Sequence, residues 1–495
     1  MLEEFENIQE LSDSINEKKN IFFIGTSEFG EVNVPTYIPD LAYLYATFGR
    51  KGTLIETIEN ILDDEFKINN IYVVKTTGSH SKALLDVNII GREIIDSGVI
   101  LKAKHSSEKF DDIKVSLTEK YISFSINEEN NVSYKYADYV TINNLANKIN
   151  KDTNNGDNYV YMETYVDDSV KLIGALSTVN SNEFYLHTGS SGLSTSKNKY
   201  YISLKNTLEL LEGYEIDVLV PLGAYLDDIC YEEDVVSHTD KLTIKINNKS
   251  TSFYELITDF IHLQFNSGIT TIGVLGFNHK SDLSIDEKIL ILEKNKENVQ
   301  DRISNSFICI SSNNLYNSKL NRVTNGQAEL GCLIRNTIPT ESITFKSLPK
   351  FYSPVELFTN DKLIKLADNH LVAFRYSYYK KRTVVSTSMT TSSCKEKGYH
   401  YMQNIITLQF ITKILNLLCE KYIGEDINKV IKSKQLENEF KKILSELRVI
   451  QYIQDYEVSL DRISTDEIEI HTTVQSIFTL DFLEILNKLK IEDMV

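Results

Sequence analysis

Cys230, Cys309, Cys332, Cys394 and Cys419 are few, odd in number and widely spaced, and no C-x-x-C joins any two of them. A disulfide framework and a cysteine zinc box are thereby excluded. The reading is of reduced, mostly buried thiols in a protein folded in a cytoplasm. No run approaches the roughly 18 apolar residues of a membrane span. The acidic opening residues lack the charged-then-apolar order of a signal peptide, so export and membrane insertion are not expected. Polar low-complexity tracts, the mark of disorder, are also missing. Positive charge is short: 52 Lys and Arg stand against 70 Asp and Glu, a net charge of −18. An acidic surface repels phosphates, so nucleic acid is not expected as a direct partner. Solubility, or complementarity to a basic protein surface, accounts for the charge. What the chain does have is 495 residues, 42% of them hydrophobic and 10% aromatic, enough for about two to four packed domains.

Catalytic signatures are equally scarce. Residues 25–30 (GTSEFG) follow a strand with the spacing of a phosphate loop. The Lys and Ser/Thr that should open a helix there are replaced by Glu31 and Val32, and a carboxylate beside a phosphate is repulsive. A strand-to-loop turn is the better reading. Gly189-Ser190-Ser191-Gly192 misses the nucleophile elbow by one residue. The histidines are scattered, with no H-E-x-x-H and no H-x-H. The acidic cluster Asp227, Asp228, Glu232, Glu233, Asp234 lacks the glycine and final glutamate of a calcium loop and reads as a solvated strand-end loop. No catalytic residue, cofactor site or metal site is assigned.

Periodicity outlines the fold. Residues 21–24 form a buried strand that turns at Gly25. Pro35 and Pro39 then bar a helix until the apolar stretch at 41–48. A second helix is expected around 53–62 and a strand at 70–75. Residues 83–190 carry short strand candidates at 99–103, 113–117, 121–126 and 132–136, separated by charged turns, with 151–158 (KDTNNGDN) as a surface loop. From 191 to 349, helix and strand alternate. Tyr201, Leu204, Leu208 and Leu211 share a face that stops at Gly213, and 216–220 is a near-continuous apolar run. A helix spans Phe253 to Ile261 and a strand 270–275. Ser284 and Glu287 make a capping box, followed by a strand at 307–311. Repeated strand–helix units argue a largely parallel sheet flanked by helices. Beyond 350 come strands at 371–376 and 383–388, a helix at 399–423 with Tyr401, Ile405, Leu408, Thr412, Leu415 and Leu418 inward, a helix at 428–447, and strands at 449–458 and 466–480.

Residues 20–58 (NIFFIGTSEFGEVNVPTYIPDLAYLYATFGRKGTLIETI) resemble the opening segment of contractile tail sheath proteins, through Gly25, Gly30, Val32 and Pro35 of the strand, glycine turn and G-x-V-N-V-P run. Similar order recurs in Y-x-x-x-L-x-x-x-L from Tyr200, in 217–223 (DVLVPLG), in 325–349 and in the helix–Gly424-Glu425–helix–strands plan near the end. The resemblance covers most of the chain, patchily. It implies an α/β and α+β multidomain fold: an N-terminal arm (1–19), an α/β middle domain (20–82 and 191–349), a β-rich outer insertion (83–190), an α+β tube-facing domain (350–465), and a C-terminal strand and arm (466–495). In place of the family's usual glycine- and asparagine-bearing turn stands 105–112 (HSSEKFDD). Residues 1–19 read as either a short amphipathic helix or a mobile arm.

The same resemblance implies a mechanical function without an enzyme activity or cofactor. Subunits would polymerise helically around an inner tail tube, with baseplate and tail terminator proteins as further partners. Contraction would drive the tube through a target envelope for genome ejection by a bacteriophage virion assembled in the host cytoplasm, or for a related injection system. Ile470, Val474, Phe478, Leu480 and Phe482 are then candidates for an arm pairing with a neighbour; otherwise they belong to a final strand or helix of their own domain. Lys380, Lys381 and Arg382 are either a solvated hairpin turn or a contact with a neighbouring subunit or the tube. The alternative from another class is a Rossmann-like enzyme with a small-molecule pocket after Ile24, Val220 or Leu275.

Overall fold

The computed structural model describes residues 8–476 except 63–65, 67, 89–93, 119, 127–128, 167–175, 178–182, 239–240, 300–302, 393, 395–396, 425–429, 431–433 and 463–467. The chain divides into two compact units. One comprises 1–22, 63–70 and 211–495, the other 23–62 and 71–210.

In the first unit the apolar runs form the parallel strands Val218–Pro221, Ile272–Gly276 and Ile308–Ser311, every residue buried. Their register pairs Leu219 with Gly273 and Gly273 with Ile308. Side chains alternate across a strand, so these three share one face, and helix Phe253–Asn266 lies against it. A Cβ on Gly273 would stand 2.9 Å from Ile261 Cδ1. Val218 and Val220 point the other way, onto helix Gln327–Arg335, where a Cβ on Gly331 would stand 2.8 Å from Val220 Cγ2. Coverage on both faces explains why these strands are apolar at every position rather than at alternate ones.

The same unit carries the long helix Met402–Cys419, helix Gln435–Val449 and the terminal hairpin Ile453–Arg462 with Ile468–Ser476. Residues 8–18 form an amphipathic helix whose Leu11 and Ile15 are buried with Phe410, Ile414, Leu444 and Leu447. The expected inward face of the long helix needs correction. Met402, Ile406, Phe410 and Ile414 are buried, whereas Leu408, Thr412 and Leu415 are only half-buried. Nearly every side of this helix is apolar, so its periodicity does not single out a face.

The second unit holds two antiparallel four-stranded sheets. In one, Leu176–Ser177, Lys82–Asn88, Ile94–Ala103 and Val160–Thr164 lie side by side in that order. The other runs Glu183–Tyr185, Ile113–Leu117, Tyr121–Ile126, Glu129–Lys135. Helix Ile142–Asn155 shares their core through Ile142, Leu145, Ala146 and Ile149. It also corrects the surface-loop reading of 151–158. Residues 151–155 complete this helix, and Gly156 caps it in the left-handed conformation at φ 89°. Residues 108–112 form a 3₁₀ turn capped by Ser107. Helices Leu41–Phe48 and Thr53–Ile61 and strand Ile71–Lys75 stand where the sequence places them.

Candidate assembly interface

The terminal hairpin is built by period-two alternation. Its register pairs Tyr456 with Val474, Val458 with Thr472 and Leu460 with Ile470. Tyr456, Val458 and Val474 pack on the core that holds Leu444 and Leu447, while Leu460 and Ile470 pack on the one holding Phe440. The intervening residues face outward and are exposed, among them Asp455, Glu457, Asp461, Glu469, His471 and Gln475. Among the described residues no third strand joins this sheet.

Beside the strand Ile468–Ser476 lies a groove of about 360 Å³. Thr472, Thr473 and Val474 form one wall, and Ile405, Leu408, Ile411, Thr412 and Leu415 of the long helix form the floor. The stripe that the sequence assigns to the core is therefore largely the floor of an open groove along a strand. An unpaired edge offers a row of N–H and C=O groups, and an apolar floor beside it offers burial for alternate side chains. That combination accepts an added strand. Ile470 and Val474 are half-buried against their own subunit; Phe478, Leu480 and Phe482 lie outside the described residues.

The opening motif is structural in its contacts. Gly25 closes the strand Ile21–Gly25, and its carbonyl accepts from Thr76 N–H at 2.9 Å. Gly30 has φ +98° and a Cβ there would stand 2.5 Å from Phe48 Cδ1, so only glycine fits. Val32 bridges Lys75 in parallel, and Asn33 N–H donates to Lys75 O at 2.7 Å. Pro35 leads into Thr36–Tyr37, which pairs antiparallel with Ile71–Lys75. Lys380, Lys381 and Arg382 occupy the turn and first strand position of the hairpin Phe374–Ser377 with Arg382–Val385.

A buried polar lock, not foreseen from the sequence, ties residues 17–20 to the parallel strands. Asp217, fully buried, accepts from Asn20 N–H at 2.9 Å and pairs with Lys413 Nζ at 2.6 Å. Arg335 donates from Nε to Lys19 O and from Nη2 to Glu17 O, both at 2.9 Å. Lys19 is buried and donates to Thr337 O at 2.9 Å. Burial pushes its ammonium down to about 7, against the pull of Asp217. Burial would lower Lys413 too, but Asp217 and Glu215 raise it. The acidic cluster is dispersed: Asp227 accepts from Asn278 N–H and Ser281 Oγ, while residues 232–234 belong to the strand Cys230–His238. Among the described residues no group of three or more His, Cys, Asp or Glu could hold a metal ion. Beyond two of the parallel strands the chain bonds to itself. Leu226 N–H donates to Gly276 O at 3.0 Å and Ser311 Oγ to Asn325 O at 2.8 Å.

No protein-family model and no curated protein matches the chain in sequence. Its fold does match solved structures. A sheath tail protein from Listeria innocua superposes with a TM-score of 0.53 at 13% identity, over 92% of this chain and 95% of that one. One from Desulfitobacterium hafniense gives 0.51 at 12% identity, over 93% and 97%. The chain has the fold of the sheath tail proteins.

Proposed function

We propose that this chain is the structural protomer of a contractile tail sheath. Copies polymerise helically around an inner tail tube through a head-to-tail interface that does not close. Baseplate and terminator proteins bound the polymer, in a bacteriophage tail or a related injection system. The middle domain (20–82 and 191–349) forms the body, 83–190 the outer insertion, and 350–465 faces the tube. Contraction repacks the subunits into a larger interface and drives the tube through the target envelope, so no nucleotide and no catalytic residue is required. The extended sheath is metastable until triggered.

The observation that supports this reading is the groove beside a strand whose outer edge, among the described residues, pairs with no other strand. The arm is residues 477–495, with Phe478, Leu480 and Phe482 entering a neighbour's groove, while Ile470 and Val474 anchor the hairpin that presents it. The test is truncation after Ser476. The shortened chain should keep its circular dichroism and melting profile yet fail to form the striated tubes that the full chain forms under negative stain. Truncated protein that still makes tubes removes the arm. Discrete particles of the full chain, stabilised by ATP, GTP or NAD, would favour the enzyme. A ligand at 100 times its Kd would stabilise by about 2.7 kcal/mol, an evident thermal shift.

A further inference from the structure

On an acidic chain, one hairpin tip concentrates exposed aromatics with positive charge. Tyr378 and Tyr379 are 87% and 92% exposed. Tyr376 and Tyr378 meet edge to face with ring centroids 5.4 Å apart. Behind them Phe345 lies under two cations: Arg375 stands 4.9 Å from its ring centroid and Lys380 Nζ 5.1 Å. Lys380 Nζ also donates to Phe345 O at 2.6 Å, and Lys381 turns the tip at φ +52°. Tyrosine has only two side-chain torsions to freeze on binding, and tyrosine and arginine dominate interface hot spots. Tyr378 and Tyr379 leave most of their surface in water.

The complement is the outer face of the terminal hairpin. Asp461 stands directly opposite Glu469, and Asp455 and Glu457 lie on the same face. Like charges paired across strands repel. Arg448 Nη1 is 3.5 Å from Asp455, and His471 Nε2 is 3.4 Å from Glu469 and 3.9 Å from Asp461, one guanidinium and one imidazole against four carboxylates. A cationic, aromatic surface laid on this face relieves that repulsion, and tyrosine rings cover its polar rungs.

We infer that the 376–382 tip of one copy docks on the acidic outer face of the terminal hairpin of a second copy. The inference rests on the polymeric reading above and names the charged half of its interface. Because tip and face are different surfaces of one chain, the contact is heterologous and propagates. It is distinct from the strand-accepting groove, which lies at the hairpin's edge.

The test places a photo-crosslinking residue at Tyr379 of the full chain. Adducts to residues 455–475 of a second copy are expected, and adducts elsewhere or none would overturn the contact. This readout works whether or not tubes form, so crosslinking without tubes refutes the sheath reading and leaves the contact standing. A charge exchange supplies the second arm. Lys381→Glu should raise the concentration needed for self-association at least tenfold, as should Glu457→Lys with Glu469→Lys. Combining the three should restore most of the loss. Combined variants no better than the worse parent would overturn the pairing. Lys381→Glu protein that self-associates normally but no longer holds a tube protein would overturn it in favour of the tube.

Discussion

The parallel strands Val218–Pro221, Ile272–Gly276 and Ile308–Ser311 and the terminal hairpin differ in how far one subunit completes them. The strands are buried at every residue and packed by helices on both faces. The hairpin is packed on one face, acidic on the other, and flanked by a groove. A finished sheet supplies rigidity, whereas a sheet with an open edge supplies a site for a partner. On the proposed function, assembly would belong with the hairpin and stability with the strands.

The sharpest break of this comparison is a carboxylate placed in each region. Val274→Asp buries an unpaired charge on the sheet face covered by helix Gln327–Arg335 and should cost more than about 4 kcal/mol, unfolding its unit. Leu408→Asp sits in the groove floor and should change stability by less than about 1 kcal/mol while abolishing tubes. Melting curves with sedimentation separate the two, and equal effects would erase the distinction. Next in size is Phe440→Ala beneath the hairpin, expected to cost about 3–5 kcal/mol, since the packed face belongs to the subunit's own fold. A stable Phe440→Ala protein would mean that the hairpin contributes nothing until a neighbour arrives.

The lock beside the strands makes a pH prediction. Burial holds Lys19 at about 7, below the ordinary 10.5 of a lysine. Between those values the unfolded chain binds the extra proton, so stability should rise with pH across the window. The slope from this residue is at most about 1.4 kcal/mol per pH unit. Melting temperatures from pH 7 to 9 should rise in the native chain and rise less in Lys19→Met. An unchanged slope would mean that Lys19 is hydrated. Smallest of all, His471→Ala removes an exposed side-chain contact with Glu469 and Asp461 on the outer face and should alter monomer stability by less than about 0.5 kcal/mol, measured in the same melts.

Much of the interior was legible. The run 216–220 reads as a strand covered on both sides, and Val218–Pro221 is one; Ser284 and Glu287 do exchange their capping bonds, at 2.8 and 3.3 Å. Helix Ile142–Asn155 escaped because asparagines dominate its sequence and weigh against helix. Ile142, Leu145, Ala146 and Ile149 lie on one face, and burial in the shared core outweighed propensity. The buried lock was illegible for another reason. Asp217 and Lys413 are 196 positions apart (413 − 217), and no local pattern marks charges that meet only after folding.

By itself the sequence determined the alternation that makes the hairpin two-faced, the apolar strands and the glycines of the opening motif, because each depends on neighbours in the chain. Tertiary structure decided which side of the apolar helix Met402–Cys419 was buried and which became a groove. That choice depends on where the terminal hairpin docks, and hydrophobicity, having no direction, does not specify it.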